Sequence, residues 1–97
     1  MNITIHPGAE QDLHEAAEFY ERKGSALVAG RFIDEFERLV SLLREHPQIG
    51  SLRSNGRRSL SMKVFPYSLI YRATAQEIFI LVVKHISRRP GYGGKRW

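Results

Sequence analysis

The 97-residue chain has no cysteine, one tryptophan and four prolines. Without cysteine there is no disulfide framework, no thiolate nucleophile and no thiolate-bound zinc or iron–sulfur centre. The absence fits a reducing compartment. Long apolar runs are missing too. The longest, Ile78 to Val83, is six residues, against the roughly 20 that span a bilayer. The opening Met1-Asn2-Ile3-Thr4-Ile5-His6-Pro7 has no basic start, no long apolar stretch and no small-residue cleavage site, so no signal peptide is expected. There is no phosphate-cradling glycine loop and no HExxH. The histidines (His6, His14, His46, His85) share no ligand spacing, so neither a metal nor a cofactor is expected. The remaining expectation is a cytoplasmic domain spanning residues 1–97, with one modest core and no membrane partner. At 42% hydrophobic and 26% charged residues, the composition is that of an ordinary globular protein.

Acids are nearly absent from the second half. Residues 47–97 hold only Glu77 against ten bases, a sum of +9, whereas residues 1–46 hold nine acids and five bases, a sum of −4. Such an asymmetry projects a directional field and predicts a polyanionic partner: nucleic acid, a nucleoprotein assembly or an acidic protein segment.

The periodicity supplies the elements. Ile3 and Ile5 alternate with polar neighbours, a short strand signal. Pro7 suits a first helical position. Ala9, Leu13, Ala16, Ala17 and Tyr20 then form a narrow apolar stripe, with acids early and Arg22 and Lys23 late, as the helix dipole favours. The acids of this helix are expected on its solvated side. Gly24 is a stop signal and Ser25 a cap. Ala29, Phe32, Ile33, Phe36, Leu39, Val40 and Leu43 mark a second helix, with Arg31–Glu35 and Asp34–Arg38 as surface pairs. His46-Pro47 ends it. Helices joined by about two residues fold back as an antiparallel hairpin.

Residues 48–56 read as a polar loop. The period then becomes two: Leu60, Met62 and Val64 alternate with Ser59, Ser61 and Lys63, and Tyr67, Leu69 and Tyr71 alternate with Ser68, Ile70 and Arg72. Phe65-Pro66-Tyr67 reads as a turn flanked by core aromatics. Ile78 to Val83 is apolar on both faces, so it is expected to be the central strand. The predicted fold is α+β, in the order β-α-α-β-β-β, with a helical hairpin on one face of a small, mainly antiparallel sheet. The other face is expected to be open and basic, carrying Ser59, Ser61, Lys63, Ser68 and Arg72 with Arg57 nearby.

The chemistry concentrates in His85-Ile86-Ser87-Arg88-Arg89-Pro90-Gly91-Tyr92, directly after the central strand. His85 can accept or donate a proton. Arg88 and Arg89 can clamp a phosphate or carboxylate, and Tyr92 offers a stacking face and a phenol. Such a set could cleave RNA without metal, with a base, a phosphate-binding arginine and an acid. It could equally be a protein-binding patch. The candidate catalytic residues are therefore His85, Arg88 and Tyr92. The candidate target- or phosphate-binding residues are Arg57, Arg58, Lys63, Arg72, Arg88 and Arg89.

Arg58, then Phe65-Pro66-Tyr67-Ser68-Leu69-Ile70-Tyr71-Arg72, then His85-x-x-Arg88-Arg89-Pro90-Gly91-Tyr92, in this element order, resembles the RelE/ParE superfamily of bacterial type II toxin–antitoxin modules. Asp12-Leu13-x-x-Ala16-x-x-Phe19-Tyr20 and Phe32-x-x-Glu35-Phe36 to Pro47-x-x-Gly50 resemble its helical hairpin. Gly93 stands where many relatives carry a tryptophan. The resemblance implies a cognate antitoxin as partner, in a hetero-oligomer, and one of two targets. ParE-like members inhibit DNA gyrase without nuclease activity; RelE-like members cut mRNA on the ribosome. The pattern here is more ParE-like, because Lys63 is the sole lysine in the second and third predicted strands and Ser68 stands where nucleases carry an arginine. A small nucleic-acid-binding domain without a toxic target is the third reading.

Overall fold

The computed structural model describes residues 1–97. Strand β1 (Asn2–Ile5) leads into helix α1 (Pro7–Lys23) and helix α2 (Ala26–Glu45). Four strands follow: β2 (Ser51–Leu52), β3 (Arg58–Ser61), β4 (Tyr67–Ala73) and β5 (Glu77–His85). They form one sheet in the order β1-β5-β4-β3-β2. β1 runs parallel to β5 and the other neighbours are antiparallel. The fold is the α+β arrangement expected, with one addition. Residues 51–52, expected within a loop, form a two-residue edge strand paired with Ser59 and Arg58. So short a ladder leaves no period to read, and both of its residues are exposed.

The helix ends follow local chemistry. His6 Nδ1 accepts from the Gly8 amide at the start of α1, and Ser25 Oγ accepts from the Val28 amide at the start of α2. Each satisfies a donor that the first helical turn leaves unpaired. α2 buries Ala29, Phe32, Phe36, Leu39 and Leu43, the stripe its spacing predicts. Phe32, Phe36, Leu39 and Leu43 meet Leu69, Tyr71, Ile78, Ile80 and Val83 of the sheet in one core. Each large apolar side chain buried there contributes about 1.5–3 kcal/mol. Tyr20, Phe32, Phe65 and Tyr67 close one end with ring centroids 5.0–6.1 Å apart, so Phe65-Pro66-Tyr67 is a core turn as predicted.

Two details hold the β2–β4 side in place. The Tyr71 hydroxyl, in a fully buried residue, accepts from the Gly50 amide at 2.9 Å. A Cβ at Gly50 would lie 2.8 Å from that oxygen and 2.9 Å from the Ser59 carbonyl oxygen, so this loop fits only without a side chain. On the opposite side of the hairpin, Glu35 binds Arg38 through two bonds of 2.7 and 2.9 Å and accepts from the Lys63 amide at 2.6 Å. This replaces the expected Arg31–Glu35 and Asp34–Arg38 pairs. Glu35 reaches the β3–β4 turn, and Arg38 follows it.

Gly50→Ala is expected to cost about 1–3 kcal/mol through overpacking, measured as a lower urea midpoint with an unchanged slope. Glu35 carries a pH signature. Its hydrogen bonds from Arg38 hold its carboxyl below the usual glutamate range, against the opposing effect of burial. A lowered folded-state value contributes stability that is present above the unfolded value and lost as pH falls through the folded one. Urea midpoints between neutral and acid pH should therefore show the native chain's advantage over Glu35→Gln shrinking on the acid side; a constant difference would contradict the ion pair.

Candidate functional site

β5 has a break in its regularity. Tyr71 of β4 pairs with Ile80, and Ile70 pairs with Val82, so Leu81 is an extra residue. This bulge turns Leu81 and Val82 onto the second sheet face, where they join Ile70, Phe79 and Tyr92 in a small apolar cluster. The cluster is covered by the segment that follows β5. Gly93, at φ 73°, crosses directly over β5; a Cβ there would lie 2.6 Å from Val82 Cγ2. Trp97 packs on His6 and Phe79, with ring centroids 4.3 and 6.0 Å apart. The second face is thus occupied by residues 92–97, not open as expected.

The arginines expected on that face hold this cover down. Arg57 is buried, and its guanidinium donates to the carbonyls of Gly93, Gly94 and Arg96 at 3.2, 3.3 and 2.6 Å. Burial lowers its proton affinity most, with Arg72 and Arg96 adding to the effect. Arg72 donates to the carbonyl of Trp97 at 2.8 Å and that of Asn55 at 3.3 Å. Arg58 staples the preceding loop through the carbonyls of Gln48 and Gly50. The free carbonyls of an irregular segment need donors, and these three side chains supply them. Lys63 lies elsewhere, beside Glu35 and Arg38 at the β3–β4 turn.

Asp12 is the residue that the pattern reading misplaced. It is not on the solvated side of α1; its side chain is 4% exposed. One carboxylate oxygen accepts from the Val83 amide at 3.1 Å and from Arg96 at 2.6 Å. The other accepts from the Tyr92 hydroxyl and, at 3.4 Å, from Arg96. Arg96 also donates to the Leu81 carbonyl at 2.9 Å. Burial is the main cause raising the Tyr92 phenol above its ordinary value, followed by its bond to Asp12. For Arg96, the bond to Asp12 is the main cause raising its value. The position of Asp12, three residues after Ala9 and four before Ala16, already put it on the apolar stripe.

Beyond Asp12 the end of β5, the following turn and α1 enclose an open cavity of about 630 Å³. Its lining brings together His85, Arg88 and Arg89, and adds Arg22 and Lys84, which the sequence reading had not singled out. Phe19 and Tyr67 provide its aromatic surface. Arg88 stacks on the Tyr92 ring at 4.2 Å, with Arg96 at 5.0 Å from the same centroid. Stacking on a ring fixed through its hydroxyl limits the positions Arg88 can take while leaving its in-plane donors usable. His85 Nδ1 accepts from the Ser87 amide at 3.0 Å and lies 2.8 Å from Ser87 Oγ. A neutral ring accepting there carries its proton on Nε2, so it is a donor toward any partner. The arrangement is a cation-rich, aromatic-floored cavity, with the phenol of Tyr92 committed to Asp12.

Such a helical hairpin on a sheet, with a cation-rich cavity at the end of β5, defines a small α+β domain; β5 lies next to the edge strand β1, and β4, not the expected Ile78–Val83 strand, is the middle one. The match to known families is specific. Residues 3–90 match the family described as "ParE toxin of type II toxin-antitoxin system, parDE", and the chain belongs to it. Among solved structures, it is similar to a chain of the chromosomal ParDE toxin–antitoxin system from P. aeruginosa. The TM-score is 0.76 at 23% identity, covering 88% of this chain and 95% of the other. At that identity the likeness concerns the fold. A search of curated proteins found no match. No helix is long and apolar enough to cross a membrane.

Asp12→Ala leaves Arg96 unpaired and the Val83 amide without its acceptor. Breaking one side of such a pair costs about 3–5 kcal/mol when it is fully buried, and the low end of that range is expected here because Arg96 keeps 17% exposure. Trp97, the single tryptophan, reports on the cover directly. Its fluorescence should shift to longer wavelength in Asp12→Ala under native conditions and keep its native position in Asp34→Ala.

Proposed function

We propose that this chain acts by binding DNA gyrase, without nuclease chemistry, and is neutralised by a cognate antitoxin in a hetero-oligomer. The observation that carries the reading is the commitment of the proton-transfer groups within a ParE-family chain. His85 Nδ1 is taken by Ser87, and the Tyr92 hydroxyl donates to Asp12. Metal-free RNA cleavage needs a base free to take a proton and an acid free to deliver one. What stays free is charge, namely Arg88, Arg89, Lys84 and Arg22 around an aromatic floor. Such a surface supports recognition of an acidic protein. The same surface supports neutralisation, since an antitoxin segment of opposite charge would cover it. Residues 1–97 are taken as one toxin domain, acting in the cytoplasm.

Purified chain should block supercoiling by gyrase at micromolar concentration, and mRNA mapped by primer extension in expressing cells should remain intact. Arg88→Ala/Arg89→Ala should weaken inhibition by about 30- to 1,000-fold, the scale of losing two charged contacts worth roughly 1–2 kcal/mol each. Intact supercoiling together with cleaved mRNA would replace this reading with the ribosome-dependent endonuclease. Co-expression of a cognate antitoxin should restore growth.

A further inference from the structure

β1 is an edge strand, and its outer side has no partner. The Asn2 amide donates to the Gln76 carbonyl at 3.4 Å and the His6 amide to the Ile80 carbonyl at 2.8 Å. The even-numbered residues of this segment therefore face β5, and the N–H and C=O groups of Ile3 and Ile5 point outward. The edge carries none of the usual protection. Asn2-Ile3-Thr4-Ile5 has no charge and no proline, and its ladder with β5 has no bulge. Above it, between β1 and α2, runs a groove of about 450 Å³ with Ile3, Ile5, Phe36 and Val40 as its apolar lining. Glu37 and Arg44 of α2 stand on the same groove, two helical turns or about 10 Å apart. Both are exposed, and neither is in an ion pair within the chain. Val40 and Ser41 lie midway between them.

We propose that β1 and the adjoining face of α2 form a self-complementary interface between two copies of this chain. A two-fold axis beside Thr4 sets the two β1 strands antiparallel. Ile3 then exchanges both of its backbone bonds with the partner's Ile5, Ile5 does the same with the partner's Ile3, and Thr4 lies opposite the partner's Thr4. The same axis reverses α2. Glu37 meets the partner's Arg44, and Arg44 meets the partner's Glu37, so the charges complement each other twice. An unrelated strand could satisfy the edge, but a second copy also supplies the base that Glu37 lacks and the acid that Arg44 lacks. Ile3, Ile5 and Val40, each half-buried in the single chain, lose their remaining water contact. The interface goes beyond the gyrase reading and does not rest on it. The groove shares no residue with the cation-rich cavity, so the pair presents two such cavities.

The test follows the mass of the full-length chain by sedimentation across the micromolar range, where it should rise from that of one chain to that of two. Hydrogen exchange at the Ile3 and Ile5 amides should slow by about tenfold or more over the same range. Glu37→Arg alone or Arg44→Glu alone sets like charges against each other and should weaken association by about tenfold or more. Mixing the two single variants restores both opposite-charge contacts and should give a heterodimer; the double exchange Glu37→Arg/Arg44→Glu should self-associate as the native chain does. Ile3→Pro removes a donor that β5 does not use, so it should keep the native urea midpoint and stay monomeric. A native chain that is monomeric throughout, single charge reversals that associate as well as the native chain, or mixed variants that fail to pair would each overturn the proposal. Protection of Ile3 and Ile5 that appears only on adding a different protein would give the edge to that protein and overturn it as well.

Discussion

A carboxylate taken out of water must be met by donors, and Asp12 is met by a strand amide, a phenol and a guanidinium. That one group joins three parts of the chain: α1, the end of β5 and the segment that follows it. It comes from α1, it covers the β5 edge where β1 ends, and it draws Tyr92 and Arg96 back across the sheet. Without a charge at this position the Val83 amide would lack an acceptor and Arg96 would lose its only carboxylate, keeping the Leu81 carbonyl. The apolar cluster of Ile70, Leu81 and Val82 would then lose its cover. The stacking of Arg88 on Tyr92 depends on the same carboxylate at one remove, because the ring is held by its hydroxyl. The cation-rich cavity is therefore built on a buried acid, in a protein whose overall charge is strongly positive.

The net positive charge of the second half divides into two uses. Arg57, Arg58 and Arg72 turn inward or along the surface to satisfy backbone carbonyls of irregular segments. They serve the fold, as donors that a glycine-rich segment cannot supply for itself. Arg88, Arg89 and Lys84 stay at the cavity beside β5, joined by Arg22 from α1. A count of charges by sequence half cannot separate these uses. The field that reaches a partner comes from the second group, which is smaller and more localised than the composition suggests.

The elements were legible because their physics is local. The α2 stripe, the Ser25 cap, the alternation around Leu60 and Leu69, and the doubly apolar Ile78–Val83 each depend on spacing within a few residues. The structure follows them except at Val64, expected to alternate with Leu60 and Met62, which lies past the end of β3 in the turn and is 96% exposed. The extra strand Ser51–Leu52 was not legible, since a two-residue ladder depends on what lies across from it. The bulge at Leu81 was hidden for a similar reason: a run apolar on both sides shows no shift of parity. Asp12 was half legible. Its position on the α1 stripe was visible, but a rule that sends acids to solvent overrode it.

Local order, charge asymmetry and the family pattern were thus properties of the chain as written, because propensity, period and spacing act between near neighbours. Which arginines remain free, which acid is buried, and where the sheet keeps an open edge were settled only by folding. Those outcomes depend on donors and acceptors up to 84 residues apart, as with Arg96 and Asp12. A polar group seeks whichever partner the packed chain brings within about 3 Å, and sequence distance says nothing of that.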